Sequence, residues 1–360
     1  EWARAHAGDA DWRWVRRTAA AHKLAALVAS RVDAAGIAAT LDGDSRQQLA
    51  TARADAARRA GMAEHTIATL ADAGATTRLP FFVVKGSVLS HLVYRDPHLR
   101  RFADVDVVVR HADVPRAEAL LSDLGYRPGG VEGLLAAKPT GEAERAFAVA
   151  LTRRFDTRHL AAHTWYAPGD SGRLSIDLHW HVAPARLRVD EAQLWAHTVP
   201  VEIGATTVLT LSPAATILHL AAHATTCLLN GFRLLHLVDV GWAATRFSAQ
   251  AADTWQLAEQ WRVAPHLAQV LAMGQRLLEI DLPLAAAGPR HTRRFAELAT
   301  AEPFLLDAAT LASRSAPDRL WRELAWGIAM GCLRRNVGVV CGASWARARF
   351  RWFRRQQHGA

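Results

Sequence analysis

Cysteine is scarce in this chain: Cys227, Cys332 and Cys341 are the only three in 360 residues. Thiols so few and so scattered make neither a disulfide framework nor a cysteine-based zinc site, and a reducing, cytoplasmic setting is the expectation. Long hydrophobic runs are missing as well. No stretch reaches the roughly 18 uncharged apolar residues that a membrane-spanning helix needs. The opening residues Glu1-Trp2-Ala3-Arg4 lack the charged-then-apolar order of a signal segment. Lysine occurs only at Lys23, Lys85 and Lys138, so the net charge of +9 and the pI near 10.4 come from arginine. Such a surface suits polyanions, whether nucleotide triphosphates, nucleic acid or lipid head groups. The plainer reading is an Arg- and Ala-rich composition without a binding role. No internal repeat or low-complexity linker divides the chain. Its apolar content of 51% and mean hydropathy near zero fit a soluble globular protein of one large domain or two ordinary ones.

What is present centres on three carboxylates. Asp104 and Asp106 lie in Arg101-Phe102-Ala103-Asp104-Val105-Asp106-Val107-Val108-Val109, and Asp177 lies in Leu174-Ser175-Ile176-Asp177-Leu178-His179-Trp180. Both segments read as short strands with a β-branched bias. Side chains at i and i+2 of a strand share a face, so Asp104 and Asp106 point one way and Val105, Val107 and Val109 the other. Two adjacent carboxylates repel unless a cation lies between them. Hard oxygen ligands favour Mg²⁺ or Mn²⁺. Ordinary surface carboxylates at a strand start are the competing reading. Upstream, the apolar run Pro80 to Val84 predicts a buried strand leading into Lys85-Gly86-Ser87 and then a helix with Val88, Leu89, Leu92 and Val93 apolar. A turn of this kind offers backbone N–H groups, and the Ser87 hydroxyl, to phosphate oxygens, or is simply a strand-to-helix connection. Lys85 either reaches solvent or neutralises a phosphate. Arg95, Arg100 and Arg101 stand ready to do the same or to pair with carboxylates.

The order of these phrases resembles the DNA polymerase β superfamily of nucleotidyltransferases. The closer likeness is to an uncharacterised bacterial nucleotidyltransferase-like family found in some natural-product gene clusters. It rests on Val84-Lys85-Gly86-Ser87, Tyr94-Arg95-Asp96-Pro97, Arg100 through Val109, Leu124-Gly125-Tyr126 and Asp177-Leu178-His179-Trp180. Leu218 through His223 and Arg233 through Asp239 extend it. One position departs from the superfamily pattern: the turn usually begins with Gly, and here Lys85 takes that place. The resemblance implies an α+β fold with a polymerase-β-like core. It implies Asp104, Asp106 and Asp177 as catalytic metal ligands, with Lys85, Gly86, Ser87 and Arg100 on an NTP such as ATP. The acceptor is a small molecule, a peptide, a protein or an RNA; the sequence selects none of these and fixes no oligomeric state. A catalytically idle binding protein and an RNA-binding protein are the rivals from other classes.

The remaining candidates carry two readings each. His179 and His181 share the Asp177 face and are either ligands or packed histidines. His219 and His223 are spaced i, i+4, but the Glu of a His-Glu-x-x-His zinc motif is missing, which leaves packing or substrate contact. Arg233 and Asp239 line the acceptor cleft or form an ion pair between helices. The segment 345–355 alternates arginine with aromatics. It is read as a terminal helix docked by its aromatics, with polyanion binding as the alternative. Three segments are expected: helices over 1–75, the α/β core over 76–211, and a helical domain over 212–360. Gly36 and Gly43-Asp44 mark breaks among the first helices, and Asp113 is a plausible cap for a helix ending near Leu124. Hairpins fall over His163 to Val182 and over Val199 to Leu211 around Gly204. Ser212-Pro213 opens the last helical segment.

Overall fold

The computed structural model describes residues 8, 10–94, 96–129, 141–159, 162–169, 171–182, 189–227, 233–289, 345–346 and 348–357. Arg95, Lys138, Cys332, Cys341 and the helical stretch expected between 290 and 344 lie outside them. Helix α1 (Trp12–Ala21) starts at Asp11, whose carboxylate accepts the Trp14 N–H at 3.0 Å. Helix α2 (Ala25–Ala35) stops at Gly36, left-handed at φ +69°. Asp42 caps the long helix α3 (Gly43–Thr77) through the Ser45 N–H at 2.9 Å. These caps satisfy backbone donors that a helix start leaves unpaired.

A mixed sheet of seven strands follows, in the order β3-β4-β5-β2-β1-β7-β6. Its members are β1 (Phe82–Val84), β2 (Asp104–Val108), β3 (Arg127–Pro128), β4 (Ala162–Tyr166), β5 (Ser175–His179), β6 (Thr198–Ile203) and β7 (Thr206–Leu211). Between them run α4 (Gly86–Leu92), α5 (Val114–Asp123), α6 (Glu142–His159) and α7 (Glu191–Ala196). Central strand β2 is antiparallel to β1 and parallel to β5. Gly204, at φ +59°, turns the β6–β7 hairpin where the sequence places it.

Strand alternation sorts the side chains into two cores. Val83, Val105, Val107, Val109, Ile176 and Leu178 pack with Ile67 and Leu70 of α3 and with Leu121 of α5. Phe82, Val84 and Val108 face the other way. They pack with α8 (Pro213–Cys227), α9 (Leu234–Arg246), α10 (Ala251–Gln260), α11 (Ala264–Leu278) and α12 (Pro283–Ala286). Each fully buried valine of β2 contributes about 1.5–3 kcal/mol. The period-2 pattern therefore fixes which face the aspartates take: the one toward the C-terminal helices.

The architecture is α+β, as expected. Packing crosses both expected segment boundaries, since α3 lies on one face of the sheet and α8 to α11 on the other. One local expectation is corrected. Asp113 makes no side-chain cap to α5; its carboxylate pairs with Arg116 at 2.7 Å. A 3₁₀ turn over His111–Asp113 already holds Asp113 near helical geometry (φ −92°, ψ −3°), away from the extended backbone a capping side chain needs. At the other end, residues 348–357 are helical. Phe350 is buried with Ala148 and Leu151 of α6, Phe353 stacks on Phe147 at 4.1 Å, and Arg354 meets Glu144 at 3.1 Å. Trp345 and Trp352 remain about half exposed.

Candidate active site

The sheet register assembles the carboxylates. Asp106 of β2 lies beside Asp177 of the parallel strand β5, and beside Val84 of β1 on its other flank. Lys85 follows Val84 directly, so its side chain starts next to Asp106. Its Nζ donates to Asp106 Oδ1 at 2.5 Å, and His179 donates from Nε2 to the same oxygen at 3.0 Å. Thr164, opposite Asp177 on β4, donates its hydroxyl to Asp177 Oδ1 at 2.7 Å. Ligand atoms of Asp106, Asp177 and His179 all fall within 4.8 Å of one another. Asp104 shares the face and lines the same cleft.

The charges explain the titration pattern. Burial raises the Asp104 carboxyl, Asp106 and Asp177 add repulsion, and together they push it up to about 7. Burial acts on Asp106 in the same sense, but Lys85 and His179 outweigh it and hold that carboxyl well below the usual range. Burial opposes the Lys85 charge, yet Asp106, with Asp177 and Asp104 behind it, raises the lysine above its ordinary value. One ammonium thus ionises Asp106 but cannot balance three carboxylates. A hard divalent cation fits this donor set, since oxygen ligands predominate and one imidazole completes them.

Behind the carboxylates, Arg100 grips Asp239 of α9 with two bonds, Nε to Oδ1 at 2.8 Å and Nη2 to Oδ2 at 2.6 Å. Tyr94 adds its hydroxyl to Asp239 Oδ1 at 2.7 Å. The pair is buried and joins the sheet to the C-terminal helices, so Asp239 takes Arg100 as its ion-pair partner while also lining the cleft. Arg100 still presents an edge to the cleft. Gly86 lies against it: a Cβ there would come within 2.7 Å of Arg100 Nη1 and of Phe102 Cβ. Glycine is needed at that position for packing, quite apart from any phosphate. Ser87 is buried beneath the turn. Its hydroxyl has no hydrogen-bond partner and is not among the groups lining the cleft.

The opposite wall is helical. Leu220 and His223 of α8, Leu235 and His236 of α9, and Lys23 from the α1–α2 junction close a cleft of about 180 Å³ over the aspartates. The Arg233 N–H donates to His236 Nδ1 at 3.2 Å, which places the proton of the neutral ring on Nε2. Burial keeps His236 neutral, lowering it to about 4, and likewise His219, lowered to about 3. His219 is buried and does not line the cleft, and His181 is spent on the Val189 carbonyl at 3.0 Å. Arg233 sits outside the lining and donates to the Ala21 carbonyl at 2.7 Å. His223 instead gathers with Cys227 and His236, their ligand atoms within 4.8 Å. Positive charge from Lys85, Lys23, Arg100 and Arg233 and negative charge from Asp106 and Asp239 both reach that trio.

Lys23 and His236, which line the cleft, and Thr164, which bonds Asp177, are residues that sequence reasoning did not single out. Lysine scarcity was a usable signal, because both lysines among the described residues line this one cleft. Among the described residues no helix is long and apolar enough to cross a membrane.

A family model described as an uncharacterised nucleotidyltransferase matches residues 8–279. No curated protein matches the chain. Among solved structures, the solution structure of the antibiotic-resistance factor ANT(2'')-Ia aligns at 14% identity. That alignment covers 60% of this chain and 97% of that one, with a TM-score of 0.36.

Proposed function

The chain belongs to this nucleotidyltransferase family, and we propose that it transfers a nucleoside monophosphate from an NTP to a hydroxyl or phosphate acceptor, releasing pyrophosphate. The observation that carries the proposal is the side-by-side register of Asp106 and Asp177, with Asp104 on the same face of a cleft rimmed by Lys23, Lys85 and Arg101. Asp104, Asp106 and Asp177 would hold Mg²⁺ or Mn²⁺, which neutralises phosphate charge and lowers the pKa of the acceptor hydroxyl. Lys85 supplies positive charge to the triphosphate where the chain passes from strand to helix. In the transfer, the acceptor oxygen bonds to the α-phosphorus, the bond from that phosphorus to the bridging oxygen breaks, and pyrophosphate departs. The hydroxyl proton passes toward Asp177, whose Oδ1 is engaged by Thr164. His223 and His236 stand across the cleft, on the acceptor side.

The direct test is mass spectrometry of reactions containing each of the four NTPs and candidate acceptors drawn from small molecules, peptides, proteins and RNA. The expected result is an acceptor heavier by one nucleoside monophosphate, with pyrophosphate released. A gain of phosphate or pyrophosphate alone, with a nucleotide as the by-product, would replace nucleotidyl transfer with another phosphoryl transfer on the same site. RNA affinity that survives loss of all three aspartates, without turnover, would favour a binding protein.

A further inference from the structure

Lys85 stands between strand β1 and helix α4, and its backbone there is unusual. Lys85 sits at φ +58°, ψ −128°, a region that glycine occupies freely and L-residues avoid. Holding a side chain there costs about 1–3 kcal/mol. The distorted backbone directs the ammonium onto Asp106 Oδ1, the same oxygen that takes the His179 N–H. Those two donors already fill the lone-pair sites of that oxygen, so a metal ion bound there would have to displace one of them.

Among the described residues no neighbouring arginine is placed to relieve Lys85 of this duty. Arg100 is clamped by Asp239, and Arg101 donates from Nε to Asp55 at 3.0 Å. Lys23 is nearest in effect to Asp104. If a free divalent ion alone displaced Lys85 from Asp106, the buried ammonium would lose its hydrogen-bonded partner and face the ion's own positive charge, which is costly in a low-dielectric site. A triphosphate in the cleft removes that cost, because the flexible four-carbon stem can carry the ammonium from the carboxylate to a phosphate oxygen.

The geometry points to Lys85 as a resident counter-ion that metal and nucleotide displace together, the ammonium moving from Asp106 to the triphosphate as the metal takes its place. The inference rests on the nucleotidyl-transfer reading and adds an order to it. The unliganded protein resists free metal, and metal and nucleotide each tighten the other by the same factor.

The test measures binding without turnover. Mn²⁺ is titrated into wild type, Lys85→Met and Lys85→Gly by calorimetry, alone and then with an α,β-methylene analogue of each of the four NTPs. The glycine variant keeps the backbone in its preferred state if the methionine variant folds poorly. Wild type is expected to bind Mn²⁺ weakly alone and at least about tenfold more tightly with an analogue. Both variants should bind Mn²⁺ alone about tenfold more tightly than wild type and lose most of the coupling. Equal or weaker binding of Mn²⁺ alone by both variants overturns the exchange and leaves the transfer reading intact. Wild type that binds Mn²⁺ with none of the four analogues overturns both.

Discussion

At the scale of single residues, the site divides its aspartates by their partners. Asp106 is surrounded by donors from Lys85 and His179, whereas Asp177 touches one neutral hydroxyl, that of Thr164. Removing either carboxylate therefore has different consequences. Asp106→Asn should lose nucleotide-metal binding and turnover together, because an amide is a poorer ligand for a hard cation and leaves Lys85 unpaired. Asp177→Asn should retain nucleotide binding and lose turnover by about a hundredfold or more. Thr164→Val, which removes only the hydroxyl that orients Asp177, should lower turnover by about tenfold, in the range seen when groups supporting metal ligands are removed. Nucleotide affinity and kcat measured on the three variants separate these roles. Equal, modest losses across all of them would reduce the aspartates to ordinary surface carboxylates.

At the scale of elements, the sheet was legible in the sequence and its charge partners were not. Alternating valines in Asp104 to Val109 announce which side chains share a face, because strand periodicity is local. The partner of Arg100 is a different matter: Asp239 is 139 residues away, and only the docking of α9 on the sheet brings it close. The residue type of Lys85 hid its positive φ as well, since lysine, unlike glycine, carries no expectation of that backbone. The helical layer adds a pH-sensitive joint of its own. His266 in the first turn of α11 is buried and meets the Thr225 hydroxyl of α8 at 2.8 Å. Burial lowers it from 6.5 to about 4, so the folded protein holds it neutral while the unfolded chain takes up a proton first. Stability from this residue is complete above pH 6.5 and drains away as the pH falls to 4, by up to about 3 kcal/mol. A His266→Gln variant cannot titrate there. Urea unfolding should show wild type losing stability relative to the variant across that window. Parallel curves would mean the helix joint does not sense pH.

At the scale of the whole molecule, the cleft is a meeting of three parts of the chain. The sheet brings Lys85, Asp104, Asp106 and Asp177; the C-terminal helices bring Leu220, His223, Leu235 and His236; the N-terminal helices bring Lys23. Nothing local in the sequence says that the N-terminal helices belong to the site, because Ala- and Arg-rich helices carry no motif. Lys23 is where that contribution can be isolated. It ends the α1 turn at φ +59°, a conformation that glycine accepts without strain. It is part-buried, and burial together with Arg233 lowers its pKa while Asp104 acts in the opposite sense. A lysine that served only to terminate the helix would be replaced by glycine at no loss. Lys23→Gly should therefore leave stability unchanged or raise it by up to about 1 kcal/mol. If the ammonium serves the cleft, the same variant should weaken Mg–NTP binding by about tenfold, the worth of one hydrogen bond to a charged group. Thermal unfolding and nucleotide calorimetry on this one protein give both numbers. A variant that is as stable as wild type and binds nucleotide equally well would take the N-terminal helices out of the active site and leave them as a support for the sheet.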